Sequence, residues 1–455
     1  MAYIDPETYV YLDWAATAPL SDAAAHAMQP FLLPGRANVA CGTNANSLHS
    51  PGRAAFAALE DARRRLARLV GVSRTNELIF TSGATESDNA ALFGIAHGAV
   101  RARKQAGKAC ECPHIITTEI EHEAVQEVCA RLERSGFRLT RLSPDRHGFI
   151  SPAALMDALD ADTVLVSVQA ANSEIGSVQP VQKLAEIAHA HGAFFHTDAT
   201  QALGKITVDV SRWGVDAASF SAHKIGGPKG IGALYLRSRT PFEAYLLGGG
   251  QEEARRSGTQ NVCGAVGFAA ACESVCEALD VESARERALC EMIYAGLLEH
   301  PQVVRTIEKD ASVLRDAPGV TFSPNAAANL GACANPDTTA NLGACANPDT
   351  TANLGAFDNL GASETFEHFL PNIVHVCVRG MESQTLIIRL DALGFAVSGG
   401  SACASSSLEP SHTLLSLGIP RDLAQGALRI SIGSLTTERD ARAFIDAFGR
   451  ALAWE

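Results

Sequence analysis

Short apolar runs alternate with stretches of helical spacing along most of the chain. Leu78-Ile79-Phe80, Ile115-Ile116-Thr117 and residues 163–168, 193–196 and 232–236 have the length of strands, whereas residues 54–70 and 181–191 repeat their apolar positions at helical intervals. That alternation predicts an α/β fold with a mostly parallel sheet covered by helices. In such sheets ligands gather beyond the carboxyl ends of the strands, and polar clusters follow several of these runs. A later strand-like run, Leu428-Arg429-Ile430-Ser431-Ile432, is interrupted by one arginine.

With 455 residues, 47% of them hydrophobic and 19% charged, the chain can bury two sizeable cores. The expected organisation is an N-terminal segment, 1–20, packed on a small domain, then a large domain, 21–265, and a smaller α+β domain, 266–455. A net charge of -13 argues against a protein that coats nucleic acid, so no direct nucleic-acid contact is expected. The N-terminus, Met-Ala-Tyr-Ile-Asp-Pro-Glu, has no basic region before an apolar run. No stretch approaches the roughly 18 apolar residues of a membrane span. A cytoplasmic protein without membrane contact is the expectation.

The 12 cysteines are scattered, which favours reduced thiols in the core over a disulfide framework. Cys110 and Cys112 read as a polar surface turn rather than half of a zinc site, because no second pair stands at ligand spacing, and no intrinsic metal site is expected. Between Asn329 and Ala352 the unit Asn-Leu-Gly-Ala-Cys-Ala-Asn-Pro-Asp-Thr-Thr-Ala occurs twice in tandem, within an insert at about 325–362. It lacks an amphipathic stripe and reads as an exposed loop, with Cys333 and Cys345 as ordinary thiols.

The candidate chemistry centres on Ser219-Phe220-Ser221-Ala222-His223-Lys224, where a lysine following hydroxyl and imidazole groups suits an aldehyde cofactor held as a Schiff base. After the run ending at Thr81, the small residues of Ser82-Gly83-Ala84-Thr85-Glu86 let backbone amides approach an anion at a helix start, or else form an ordinary capped helix. Asp198 either pairs with a protonated pyridine nitrogen or caps the next helix, and Gln201 is placed to bond a ring hydroxyl. His122 is a candidate for stacking on an aromatic cofactor and moving protons, and Asn172 for contacting substrate or ring. Cys403 sits in Ser401-Ala402-Cys403-Ala404-Ser405, a loop of small residues that can carry a thiolate to a substrate. Arg429 suits a substrate carboxylate, with an internal ion pair as the competing reading.

Taken together, these segments resemble the cysteine desulfurase branch, NifS/IscS-like, of the class V aminotransferases, fold-type-I enzymes that use pyridoxal 5'-phosphate. The resemblance runs from Tyr11-Leu12-Asp13 through Gly248-Gly249-Gly250-Gln251-Glu252 and Arg256-Ser257-Gly258-Thr259 to Ser407-Leu408-Glu409-Pro410. It implies a mostly parallel, seven-stranded-type sheet, with Lys224 carrying the cofactor, Ala84, Thr85, Ser221, Ala222 and His223 around its phosphate, and Asp198 and Gln201 at the ring. It also implies His122 stacked on the ring, Asn172 beside ring or substrate, Arg429 on the substrate carboxylate, and Thr259 reaching the neighbouring subunit's phosphate in a homodimer.

The implied reaction takes sulfur from L-cysteine, leaving L-alanine and a Cys403 persulfide. The implied acceptor is an iron-sulfur scaffold protein or a tRNA-thiolation partner, with Cys403 as a transient iron-sulfur ligand at most. A selenocysteine lyase or another class V enzyme would share Lys224 and Asp198, and an inactive partner-binding scaffold is the rival from outside enzymology. Trp14 departs from the family's usual asparagine, and Glu253-Ala254 from its usual Arg-Gly.

Overall fold

A computed structural model describes residues 8–108, 111–307, 368–400 and 409–454. Cys403 with its loop, Cys110 and the tandem repeat with Cys333 and Cys345 lie outside the described residues. In chain order the strands are β1 (Val10–Tyr11), β2 (Leu78–Thr81), β3 (His114–Thr118), β4 (Arg138–Leu142), β5 (Thr163–Ser167) and β6 (Phe194–Asp198). They continue as β7 (Ala217–Ser221), β8 (Gly232–Leu236), β9 (Val303–Arg305), β10 (Ile373–Val378), β11 (Phe395–Ala396) and β12 (Ala427–Ser431).

Seven strands form one sheet in the order β2-β8-β7-β6-β5-β3-β4. Its pairings are parallel except for those of β8, which runs antiparallel to both β2 and β7. The exception has a local cause: β7 reaches β8 through residues 222–231, too short for a helical crossover, so the chain must turn back on itself. Lys224 rides in that turn. Strands β5 and β7 are buried at every position, as expected for a sheet covered on both faces.

The helices predicted at 54–70 and 181–191 are present as Ser50–Leu69 and Val181–Ala190. Strand β4 was not legible as an apolar run because it is an edge strand in which Arg138 and Arg141 are exposed to water.

A second sheet, β12-β10-β9, is antiparallel and packs under the helices Leu279–Leu297 and Glu438–Leu452 around Ile293, Val374, Val376, Phe444 and Phe448. The Glu438–Leu452 helix opens with a capping box between Thr437 and Asp440. The first described residues belong to this region: β1 pairs with β11, Leu12 enters the same core, and Trp14 N donates to Ser431 O at 3.3 Å. Trp14 also needs Gly433, where an added Cβ would come within 2.2 Å of the indole. Among the described residues no single helix is long and apolar enough to cross a membrane.

Candidate active site

The turn after β7 brings Lys224 against the N-terminal segment. Its Nζ donates to the carbonyls of Ala15 at 2.7 Å and Ala16 at 2.9 Å, and Gln201 Nε2 donates to the same Ala15 oxygen at 3.0 Å. His223 Nδ1 lies 3.1 Å from Thr17 Oγ1, and Ala18 N donates to the His223 carbonyl. Burial, with the charges of Lys224 and Lys229, lowers the His223 imidazole to about 4, so it is neutral near pH 7. Lysine, glutamine and imidazole therefore converge on residues 15–17, a segment 186 to 209 positions away from them in the chain.

The helix Ala84–Gln105 starts beside that patch. Its N-cap, Gly83, provides no side-chain cap. Both readings of this segment keep support: the Glu86 carboxylate reaches back to Ser82 N at 2.7 Å in the manner of a capping glutamate, while no side chain caps the amides of the turn itself. The first turn thus keeps backbone amides unclaimed by a capping side chain, next to Ser221, whose Oγ lies 3.9 Å from where a Gly83 Cβ would stand. The opposite wall depends on Gly232. A Cβ there would sit 2.5 Å from Phe220 O and 2.6 Å from Gly83 Cα, so only glycine lets β8 pass this close.

Asp198 closes β6 and accepts from Thr200 N at 2.9 Å, so it does hold the following turn while most of its surface is buried. Three titratable groups absent from the sequence-based candidates lie around it. His196 bonds Ser167 Oγ at 2.9 Å and Ser219 Oγ at 3.0 Å, and its Nε2 lies 3.6 Å from Asp88 Oδ1. Glu121 Oε1 accepts from Thr118 Oγ1 at 2.8 Å and from Gln169 N at 2.9 Å.

Burial pushes the Glu121 carboxyl up to about 8 against those hydrogen bonds, aided by the charge of Asp198, and burial with the same charge raises Asp88. Burial lowers His196 to about 4. Near neutral pH the Asp88 and Glu121 carboxyls are held toward their neutral forms and His196 is uncharged, so added negative charge beside Asp198 is kept low. Glu121 follows β3 whereas Asp88 sits on the Ala84–Gln105 helix, and only the folded sheet makes the two adjacent.

His122 N-caps the helix Glu123–Arg134: its Nδ1 accepts from Ala124 N at 3.1 Å, which places the neutral ring's proton on Nε2. Asn172 is buried and ties its own turn to the segment after β3, accepting from Glu174 N and Ile175 N and donating to Ile120 O at 3.1 Å. Arg429, 1% exposed, pairs with Asp13 Oδ1 at 2.7 Å and donates to Ser173 O at 3.0 Å, so the internal ion pair is present. Its buried Nε has no hydrogen-bond partner. Ala222 is buried, whereas Thr85 and Thr259 are exposed.

Thr259 ends a segment with unusual backbone. Glu252, Glu253 and Ala254 have φ of 50°, 54° and 61°, a left-handed run that β-carbons disfavour. The buried Glu252 carboxylate holds it, accepting from Arg63 Nη1 at 2.6 Å, Arg63 Nη2 at 3.0 Å and Phe80 N at 3.1 Å. Replacing Ala254 by glycine is expected to stabilise the protein by about 0.5–1 kcal/mol, relief of the strain outweighing the entropy of a new glycine. A denaturation midpoint equal to or below wild type would show that the turn carries no such strain.

A family model, aminotransferase class-V, matches residues 10–330. A cysteine desulfurase IscS of Dictyoglomus turgidum is 37% identical over 444 residues, covering 97% of this chain and 94% of the relative. A solved NifS-like protein superposes with a TM-score of 0.77 at 30% identity, covering 98% of this chain and 100% of the other. A second solved structure, SspA in complex with cysteine, gives a TM-score of 0.68 at 26% identity, covering 93% and 98% of the two chains. The chain therefore belongs to the class-V aminotransferase family, in its cysteine desulfurase branch.

Proposed function

We propose that this protein binds pyridoxal 5'-phosphate through Lys224 and removes sulfur from L-cysteine, passing it through Cys403 to a protein acceptor. The carrying observation is that Lys224 Nζ and Gln201 Nε2, three residues after the Asp198 carboxylate, share the Ala15 carbonyl, while an uncapped helix start stands beside Ser221, three residues before the lysine. The residues fit the cofactor by hydrogen bonding and charge: amides of Ala84 and Thr85 with Ser221 and neutral His223 as donors for the phosphate, Asp198 for a protonated ring nitrogen, Gln201 for the ring oxygen and His122 against the ring. When bound there, pyridoxal phosphate supplies an electron sink for the substrate carbon.

The chain's own groups do the rest. The unpartnered Nε of Arg429 is a donor for the substrate carboxylate, and Asn172 steadies the turn behind it. His122 Nε2 is placed to give or take a proton. The Cys403 thiolate attacks the substrate sulfur: a sulfur-sulfur bond forms, the carbon-sulfur bond breaks, and its electron pair stays with the carbon fragment, which takes up a proton and leaves as L-alanine.

A homodimer is part of this reading. Exposed Leu48 and Leu247 lie on segments joined by Asn46 Nδ2 donating to Gln260 Oε1 at 2.8 Å, beside exposed Thr259, an arrangement suited to a second copy. The acceptor fits as an iron-sulfur scaffold or tRNA-thiolation protein, and the setting as cytoplasmic. The test is Cys403→Ser, which is expected to keep the cofactor's visible absorbance band while sulfide and alanine production from L-cysteine falls to background. A serine variant with full activity would exclude Cys403 as the nucleophile.

A further inference from the structure

We propose that Arg256 is a positioning residue for the cofactor phosphate, acting by neutralising Glu86 at the start of the phosphate-binding helix. The inference rests on the pyridoxal phosphate reading and adds a charge-compensation device to it. The amino end of the helix Ala84–Gln105 carries partial positive charge from its unpaired amides, which is what attracts a phosphate. Glu86 stands in the first turn of that helix with Oε2 already bonded to Ser82 N at 2.7 Å. An uncompensated carboxylate at this place would compete with the phosphate for the same positive end and repel its charge.

Arg256 removes the conflict. Its Nε lies 2.7 Å from Glu86 Oε1 and its Nη2 3.2 Å from Oε2, a two-point contact between side chains only 19% and 13% exposed. Burial raises the Glu86 carboxyl, but the bonds from Arg256 and Ser82 outweigh it and hold the group ionised.

The arginine is itself held from both sides of the strained segment. Gly258 N donates to Gln251 Oε1 at 2.8 Å, Ser257 N to Leu246 O at 3.0 Å, and Glu252 fastens to Phe80 N in β2, the strand that leads into the phosphate-binding turn. The left-handed backbone at residues 252–254 is thus over-determined by bonds that aim Arg256 at Glu86. The same segment ends at exposed Thr259.

The test compares two aldehydes, pyridoxal 5'-phosphate and pyridoxal, which lacks the phosphate, titrated into full-length apoprotein and followed by absorbance. Arg256→Gln is expected to raise the dissociation constant for pyridoxal phosphate about tenfold and leave pyridoxal within about twofold. Pyridoxal binding serves as the control for folding. Removing the stranded charge as well, in Glu86→Gln with Arg256→Gln, is expected to return the phosphate compound to within about threefold of wild type, and Arg256→Lys to fall between.

Equal losses for both aldehydes, an unchanged constant in Arg256→Gln, or a double variant no better than the single one would overturn the inference. Wild-type protein that takes up neither compound would remove the cofactor reading as well, whereas normal wild-type uptake with an indifferent Arg256→Gln overturns this inference alone.

Discussion

Lys224→Ala protein is expected to be colourless as purified, to lack the cofactor's visible absorbance band and to turn over L-cysteine at least about a thousandfold more slowly, because a tethered amine of high effective molarity is lost. The fold should survive. The Lys224 amine is half-buried and donates to the carbonyls of Ala15 and Ala16, on a segment also tied down by Ala18 N to His223 O and by β1 to β11. The check is absorbance, alanine production and far-ultraviolet circular dichroism on one preparation. A yellow, active Lys224→Ala enzyme would dismiss the lysine from its role, while an unfolded one would show that its contacts to the N-terminal segment matter more for stability than argued.

Glu252→Ala is expected to be the most damaging change outside the cofactor site, costing about 3–5 kcal/mol by stranding a buried charge. Arg63 and Glu252 are each 7% exposed, and the carboxylate takes the two terminal guanidinium nitrogens and the Phe80 amide. Its loss leaves the Arg63 charge with Glu60 and the Leu78 carbonyl, and leaves the Phe80 amide without its acceptor. The left-handed turn at residues 252–254 also loses its main anchor. Glu252→Gln keeps the shape and one acceptor oxygen, so it should lose less. Urea midpoints for the two variants read the difference directly, and a loss below about 1 kcal/mol for the alanine variant would place this pair among surface-like bridges.

The parts of the fold that could be read from the chain are those governed by local pattern. Strands β3 and β5 and the helices Ser50–Leu69 and Val181–Ala190 announce themselves through period and length, since each buries one face or both. Strand β7, Ala-Ala-Ser-Phe-Ser, did not, because a central strand facing a polar site is built from small and hydroxyl residues. For the same reason the group around Asp198 was only half visible. Asp198 and Gln201 follow a strand at a revealing spacing, whereas His196, Asp88 and Glu121 read as unremarkable polar residues until the sheet sets them side by side.

The sequence by itself determined the chemistry available: a lysine directly after hydroxyl and imidazole groups, a helix start rich in small residues, a carboxylate at a strand end and a cysteine among small residues. These are short-range features, so residue type and spacing suffice to express them. Only the tertiary structure decided the charge state around Asp198, because burial sets the Glu121, Asp88 and His196 equilibria and burial is a property of the packed whole. It also decided that Arg429 meets Asp13 across 416 positions of sequence and that Arg256 meets Glu86 across 170. Such pairings depend on how β12 docks on the N-terminal segment and how the segment after β8 returns to β2, and no local pattern encodes either path.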